Sequence, residues 1–269
     1  MVISYLRDLV KHVGNIGIGV IKLTGDDKGN IKIQAVESNN KSIVVTGSFS
    51  KKIPDLEGVV GLSDLGTLEK YVNAFSEPND TVTVKRENKT VDVEVLDDDG
   101  NVEYDDDGNP MVAKQTEDVI VSFNFYRPSQ DAVRPYRLMD QRMIPQQFDP
   151  KKITWDITLK PTKAAVQTFG TYASFGQDKT FGIEMRNNAN TGNQDLYFVF
   201  GDASFKFAEN VTGTLTKKWE WDVNNAATLL RRSENADCEL KIFNDKGALG
   251  INLDSGLAKY EFILPSRSR

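Results

Sequence analysis

Few residues of this 269-residue chain could carry out chemistry by their type. It holds one histidine, His12, and one cysteine, Cys238. Nucleophilic catalysis of the Ser-His or Cys-His kind needs a base within hydrogen-bond reach of a nucleophile and oriented by a third group. His12 instead sits beside Lys11 and one helical turn from Asp8, which reads as a solvated histidine on a polar helix face. One cysteine excludes an intrachain disulfide and a thiolate zinc cluster, and one histidine argues against a multi-histidine metal site. Gly14-Asn15-Ile16-Gly17-Ile18-Gly19 is glycine-rich but follows a helical pattern and precedes a strand pattern. A dinucleotide fingerprint needs the reverse order, so that phosphate meets a helix N-terminus. No phosphate-loop pattern occurs.

The stretch from Asp97 to Asp107 carries seven Asp or Glu residues and no cation. Calcium is the sharp hypothesis for it. An EF-hand loop takes Asp first, Gly sixth and Glu twelfth. Taking Gly108 as sixth puts Glu103 first and Lys114 twelfth, and taking Gly100 puts Val95 first, so both registers fail. Asp-Gly and Gly-Asn are turn formers, and residues 96–112 read as a solvated acidic hairpin insertion. Paired carboxylates could serve glycoside hydrolysis, but no pair is singled out by its surroundings. The residues thus imply no catalytic group, no metal and no cofactor.

Cations are the remaining signal. Arg7 and Lys11 lie on a first helical pattern, Lys70 on a second, Lys163 on a third, and Arg231 and Arg232 end a fourth. The chain as a whole is acidic, with net charge −6. A protein that grips DNA over an open surface is usually basic. On charge alone, these cations read as solvated helix surface, with the C-terminal ones complementing the macrodipole.

The elements that would position them follow from periodicity. Hydrophobic residues make up 39% and charged residues 27%, ordinary for a soluble globular protein. No apolar run approaches the roughly 20 residues of a membrane-spanning helix. Arg7, Asp8 and Lys11 interrupt any secretory apolar region, so a cytoplasmic protein is expected. Helices are expected over Ile3–Val13, Asp64–Phe75, Pro161–Ala173 and Val223–Arg232. Strand runs follow the first helix at Gly19–Leu23, Asn30–Val36 and Ser42–Phe49, and the second at Thr81–Arg86, Thr90–Leu96 and Asp118–Phe125. Residues 128–152 hold several prolines and no periodicity and read as a connector. The second half has strands at Ile153–Leu159, Thr180–Arg186, Asp195–Phe200, Ser204–Phe207, Leu215–Trp221, Cys238–Asn244, Ala248–Leu253 and Leu257–Leu264. Aromatics alternating in these runs, such as Phe123 with Phe125 and Phe205 with Phe207, read as core. Each half therefore repeats helix, strands, helix, strands. The fold class is α+β: two similar domains, 1–127 and 153–269, each with antiparallel sheets and two helices.

Order, duplication and charge together resemble the sliding DNA clamps, which include proliferating cell nuclear antigen and the polymerase processivity factors of T-even-type bacteriophages. Three local matches carry the resemblance: Gly61-Leu62-Ser63-Asp64-Leu65-Gly66-Thr67-Leu68-Glu69-Lys70 with the Thr81–Val84 strand, Ile157-Thr158-Leu159-Lys160-Pro161, and Leu257–Pro265 near the C-terminus. The resemblance implies a non-enzymatic processivity factor of a replicative polymerase, viral in origin. Its subunits would close into a ring: two-domain chains imply a homotrimer, with helices lining a hole that encircles duplex DNA. It makes Arg7, Lys11, Lys70, Lys163, Arg231 and Arg232 the DNA-facing set. It also implies a pocket for C-terminal peptides of the polymerase and clamp loader, formed by Val44, Val45, Leu138, Met139, Met143, Ile144, Phe262, Leu264 and Pro265. Encirclement would reconcile an acidic exterior with a weakly basic bore. The alternative is a β-rich structural virion protein of tail or capsid, which has no reason to place cations on all four helices.

Overall fold

The structure is a computed structural model that describes residues 3–14, 16–37, 42–95, 102–104, 110–145, 153–176, 178–232 and 237–266, with the backbone alone for 91–94. Most of the acidic insertion, and residues 146–152 of the connector, lie outside the described residues.

Four amphipathic helices form where the apolar spacing requires them. Helix α1 (Ile3–Val13) buries Leu6, Leu9, Val10 and Val13, and Gly14 N–H closes its end on Val10 O at 2.9 Å. Each of the other three starts from a side chain that accepts an otherwise orphaned backbone N–H. Asp64 caps α2 (Leu65–Ala74) through Thr67 N at 3.0 Å, and Thr162 caps α3 (Lys163–Ser174) through Ala165 N at 3.1 Å. Asp222 does so for α4 (Val223–Arg232) through Asn225 N at 3.0 Å. The Asp64 carboxyl is held below the usual carboxylate value by its hydrogen bonds from Thr67.

An eight-stranded antiparallel sheet runs through both halves in the order β4-β1-β2-β3-β15-β14-β13-β8. Its first-half strands are β1 (Ile18–Gly25), β2 (Ile31–Glu37), β3 (Val44–Phe49) and β4 (Gly58–Leu62). The second half supplies β8 (Ile157–Leu159), β13 (Asp237–Phe243), β14 (Ala248–Asp254) and β15 (Ala258–Pro265). The halves meet where β3 pairs with β15, from Val44 opposite Ile263 to Phe49 opposite Ala258. A three-stranded sheet holds β5 (Thr81–Glu94), β6 (Val112–Arg127) and β7 (Ala132–Arg137). A four-stranded sheet holds β9 (Thr180–Asn187), β10 (Gln194–Phe200), β11 (Ala203–Val211) and β12 (Glu220–Asp222), in the order β11-β10-β9-β12. The order β3-β2-β1-β4 of the first half thus recurs as β11-β10-β9-β12, and β5-β6-β7 recurs as β13-β14-β15.

Helices and sheets share one core. The inward residues Ile21, Ile33, Val45, Ile251, Phe262 and Leu264 are all nearly inaccessible, as are Leu6 and Leu9 of α1. In the second half, Phe169 of α3 packs edge-on against Phe181 and Phe198, at centroid distances of 5.0 and 5.5 Å. The alternating aromatics expected as core are largely so: Phe123, Phe125, Phe198, Phe200, Phe207 and Trp221 are buried, and Phe205 is half-buried.

Three expectations are corrected. The connector expected over 128–152 contains strand β7, paired with β6 from Ser122 opposite Arg137 to Arg127 opposite Ala132. Its Pro135 is tolerated because β7 is an edge strand, where a missing donor need not break a ladder. The two runs at Thr81–Arg86 and Thr90–Leu96 are one strand, β5, whose register shifts between Lys85 and Arg86. A β-bulge lets a strand bend without ending. Finally, the strand expected over Leu215–Trp221 is only Glu220–Asp222.

Candidate functional site

Helices α1 and α4 contact β15 of the eight-stranded sheet, α2 reaches β6 through Tyr71 and Phe75 against Phe125, and α3 packs on the four-stranded sheet through Phe169. α1 packs on α2 and α3 on α4. Across the seam, the Arg232 guanidinium of α4 donates to Lys11 O at the end of α1. The helix order is therefore α2-α1-α4-α3.

This face is depleted of negative charge. The four helices carry two carboxylates, Asp8 and Glu69, and none has an acidic residue in its first turn. An acidic chain would gain from acids there, because the macrodipole favours them. Lys11, Lys70, Lys163 and Arg231 are exposed, and none forms an ion pair with another described residue. Their exposed neighbours are neutral and polar: Asn73, Gln167, Thr171 and Asn224. The result is a weakly cationic, hydrogen-bonding surface on a chain of net charge −6.

The other two expected cations hold helix ends. Arg7 donates through Nε and Nη2 to Val72 O at 3.1 and 2.6 Å, satisfying carbonyls that end α2. Arg232 does the same for α1, and burial lowers its pKa against a raising influence from Glu69. Both place positive charge at a helix C-terminus, the favourable end of the macrodipole.

His12 is not solvated, contrary to the sequence reading. It is 2% exposed and its ring lies 5.4 Å from that of Tyr260. Its Nε2 is 3.4 Å from Asp8 Oδ1. Asp8 is buried too, and its Oδ2 accepts from Tyr260 Oη and Ser255 Oγ, both at 2.8 Å. Burial pushes the Asp8 pKa up, but hydrogen bonds from His12, Tyr260 and Ser255 outweigh it and hold the carboxyl below its ordinary value. Burial and the neighbouring Asp8 raise Tyr260 well above the phenol range. This network ties α1 to β15 across the seam; its hydroxyls donate to the carboxylate, so no base faces a nucleophile.

The opposite face of the sheet carries an apolar patch at the same seam. Val36, Val44 and Ile263 form a row across β2, β3 and β15 that meets Gly250 on β14, and Ala248 and Phe243, the next same-face pair on β14 and β13, join the same cluster. Trp155 and Ile153 pack onto this row from the segment before β8. The Trp155 indole lies over Gly250, where a Cβ would come within 2.6 Å of its Cη2. Glycine here leaves the flat floor that the indole needs.

The residues expected to form a peptide pocket divide by strand parity. Val44 faces the patch, and Pro265 is exposed at the end of β15, opposite Ala248. Val45, Phe262 and Leu264 face the helices and belong to the main core. The connector residues lie elsewhere, against β4. Met139 N donates to Gly61 O at 2.9 Å, and a Cβ on Gly61 would meet Ile144 Cγ1 at 2.7 Å. Leu138 packs on the main core, while Met143 is 70% exposed. Trp155, Ile153 and Ile263 were missed; a tryptophan two residues before a short strand was the available signal.

No helix among the described residues is long and apolar enough to cross a membrane, and no group of three or more metal-ligating side chains occurs among them. No known family model matches the sequence, and no curated protein matches it either. The fold does have counterparts. One is the structure of the C-terminal region of FEN-1 bound to A. fulgidus PCNA, similar over 100% of this chain and 97% of that one, with a TM-score of 0.66 and 11% identity. At that identity the likeness establishes architecture alone: the chain has a PCNA-like fold, with antiparallel sheets and four helices among the described residues.

Proposed function

We propose that this chain is a sliding clamp: a non-enzymatic processivity factor whose copies form a ring of three around duplex DNA, the helix faces turned inward. One observation carries the reading. In a PCNA-like fold of net charge −6, the four helices carry no carboxylates but buried Asp8 and half-buried Glu69 and keep four cations that make no ion pair among the described residues. Weak, sequence-independent attraction suits a protein held by topology, since strong phosphate contacts would oppose sliding. Retention on duplex DNA that depends on blocked ends tests it.

The apolar patch at the seam is the proposed dock for partner proteins, the replicative polymerase and its clamp loader among them, through C-terminal peptide segments. The A. fulgidus PCNA structure, with a C-terminal region of FEN-1 bound, supports that class of partner. Trp155 supplies the large, rigid aromatic surface typical of peptide anchor sites. Trp155→Ala is expected to weaken binding of the polymerase's C-terminal peptide at least about tenfold, the 1.4 kcal/mol or more of a lost anchor. Calorimetry reads it, with the melting temperature as control; unchanged affinity removes the patch from the interface. Leu264→Ala is no substitute for this test, since it opens a core cavity costing about 2–5 kcal/mol.

A further inference from the structure

The outer face of the eight-stranded sheet carries a groove of about 620 Å³ at the seam, spread over β2, β3, β15, β14 and β13. Strand register sets its outward side chains in two rungs. The first runs Lys32, Ser48, Lys259, Asp254 and Asp237. The second runs Thr46, Glu261, Asn252 and Glu239. The next rung along the same strands is the apolar row that meets Gly250 beneath the Trp155 indole. Residues two apart on a strand share a face and lie about 6.6 Å apart, so the second rung borders the proposed peptide dock directly.

The rungs differ in charge balance. In the first, Asp254 Oδ2 lies 3.5 Å from Lys259 Nζ and Asp237 Oδ2 lies 3.1 Å from Lys160 Nζ, so its carboxylates are matched. The second has acceptors in excess. Glu261 makes no ion pair with another described residue, and Glu239 has a 3.8 Å approach from Lys241 Nζ. Glu261 and Glu239 flank Asn252 on neighbouring strands, about 9.6 Å apart at their Cα atoms. Between them the Asn252 amide oxygen is buried without a hydrogen-bond partner. A buried acceptor left unpaired is unfavourable, so the site gains from a donor that reaches it.

The group that suits three acceptors in a row is planar and multiply donating. A guanidinium presents five N–H groups in a rigid fork and pairs with carboxylates two bonds at a time, whereas an ammonium is a point charge with three donors. We infer that Glu261, Asn252 and Glu239 form a guanidinium subsite, which takes an arginine within two residues of the apolar anchor in a partner's docking peptide. The subsite rests on the peptide dock proposed above and specifies which peptides that dock accepts. An acidic residue at the same place would face two carboxylates, so the rung rejects acidic peptides as it selects basic ones. Partners with the same apolar anchor are thereby sorted by charge.

A random decapeptide library displayed on phage is the probe, panned at physiological salt against four proteins. These are the wild type, Glu239→Gln/Glu261→Gln, Trp155→Ala, and the charge-matched control Glu184→Gln/Glu209→Gln on the four-stranded sheet. Wild type and control are expected to enrich peptides with an arginine within two residues of an aromatic or aliphatic side chain. The groove variant is expected to keep the apolar preference and lose the arginine. In one enriched peptide, citrulline in place of arginine keeps the shape and removes the charge. Calorimetry is expected to show at least about tenfold weaker binding to the wild type and less than about twofold to the groove variant. Both glutamates are partly exposed, so the melting temperature should hold, and Glu261→Gln alone serves if the double variant misfolds. Wild-type peptides without arginine, or an arginine preference that survives the groove substitutions, overturn the inference. Peptides that need Trp155 but carry no arginine remove the subsite and leave the dock standing. Arginine peptides that need the two glutamates but ignore Trp155→Ala do the reverse. Failure to enrich any peptide removes both.

Discussion

Replacing Asp8 with alanine is expected to cost about 3–5 kcal/mol of unfolding free energy, the range for removing one partner of a buried ionic network. The carboxylate accepts from Tyr260 Oη and Ser255 Oγ and faces His12, so its loss leaves polar groups buried without partners. The effect falls on the seam between the halves, because Asp8 is on α1 and both hydroxyls belong to the β14–β15 end. The pH dependence follows from the sign of the shift. The folded carboxyl lies below its ordinary value of 3.8, so its contribution is fully present above that value. It is lost as pH falls through the lower, folded value. Urea unfolding of wild type and Asp8→Asn is therefore expected to differ most near neutral pH, with the gap closing as pH falls below the ordinary carboxylate value. A gap independent of pH, or an Asp8→Ala loss under about 1 kcal/mol, would contradict this role.

The second large effect concerns the helix face. Reversing Lys11, Lys70, Lys163 and Arg231 together to glutamate is expected to reduce retention on duplex DNA at low salt by at least about a hundredfold. Each cation removed from a phosphate lowers the slope of log affinity against log salt by about 0.9, and each added carboxylate repels. Fold and mass should not change, since all four side chains are exposed and unpaired among the described residues. Arg7→Glu and Arg232→Glu are expected to behave differently. Each uncaps a helix end, so each lowers the melting temperature. If the quadruple variant binds DNA as the wild type does, the helix face is not the DNA surface.

The four helices were legible from spacing and caps. α1 and α4 have the bounds expected, and α2 and α3 differ by one or two residues at their ends. What escaped the sequence was relational. Asp8 and His12 form a polar pair one turn apart, the usual mark of a solvated helix face, and their burial depends on Tyr260, 252 residues from Asp8. Arg7 and Arg232 have the pattern of free surface cations, but their acceptors lie on other helices, 65 and 221 residues away. The face toward which Val44 or Val45 points was equally hidden. β3 and β15 are covered on both sides near the seam, so Val44-Val45 and Phe262-Ile263-Leu264 read as continuous apolar runs without alternation. Strand β7 was missed because prolines mask an edge strand that needs half of its donors at most.

The measurement that bears most directly on a clamp is retention on linear duplex DNA with biotin at both ends. The protein is mixed with the DNA while the ends are open, streptavidin is then added to block them, and the complex is washed in high salt. A ring that threads over open ends is expected to stay on the blocked duplex through the wash and to leave when a restriction cut makes a new end. Equal loss from blocked and open DNA, or retention that survives the cut, would contradict encirclement.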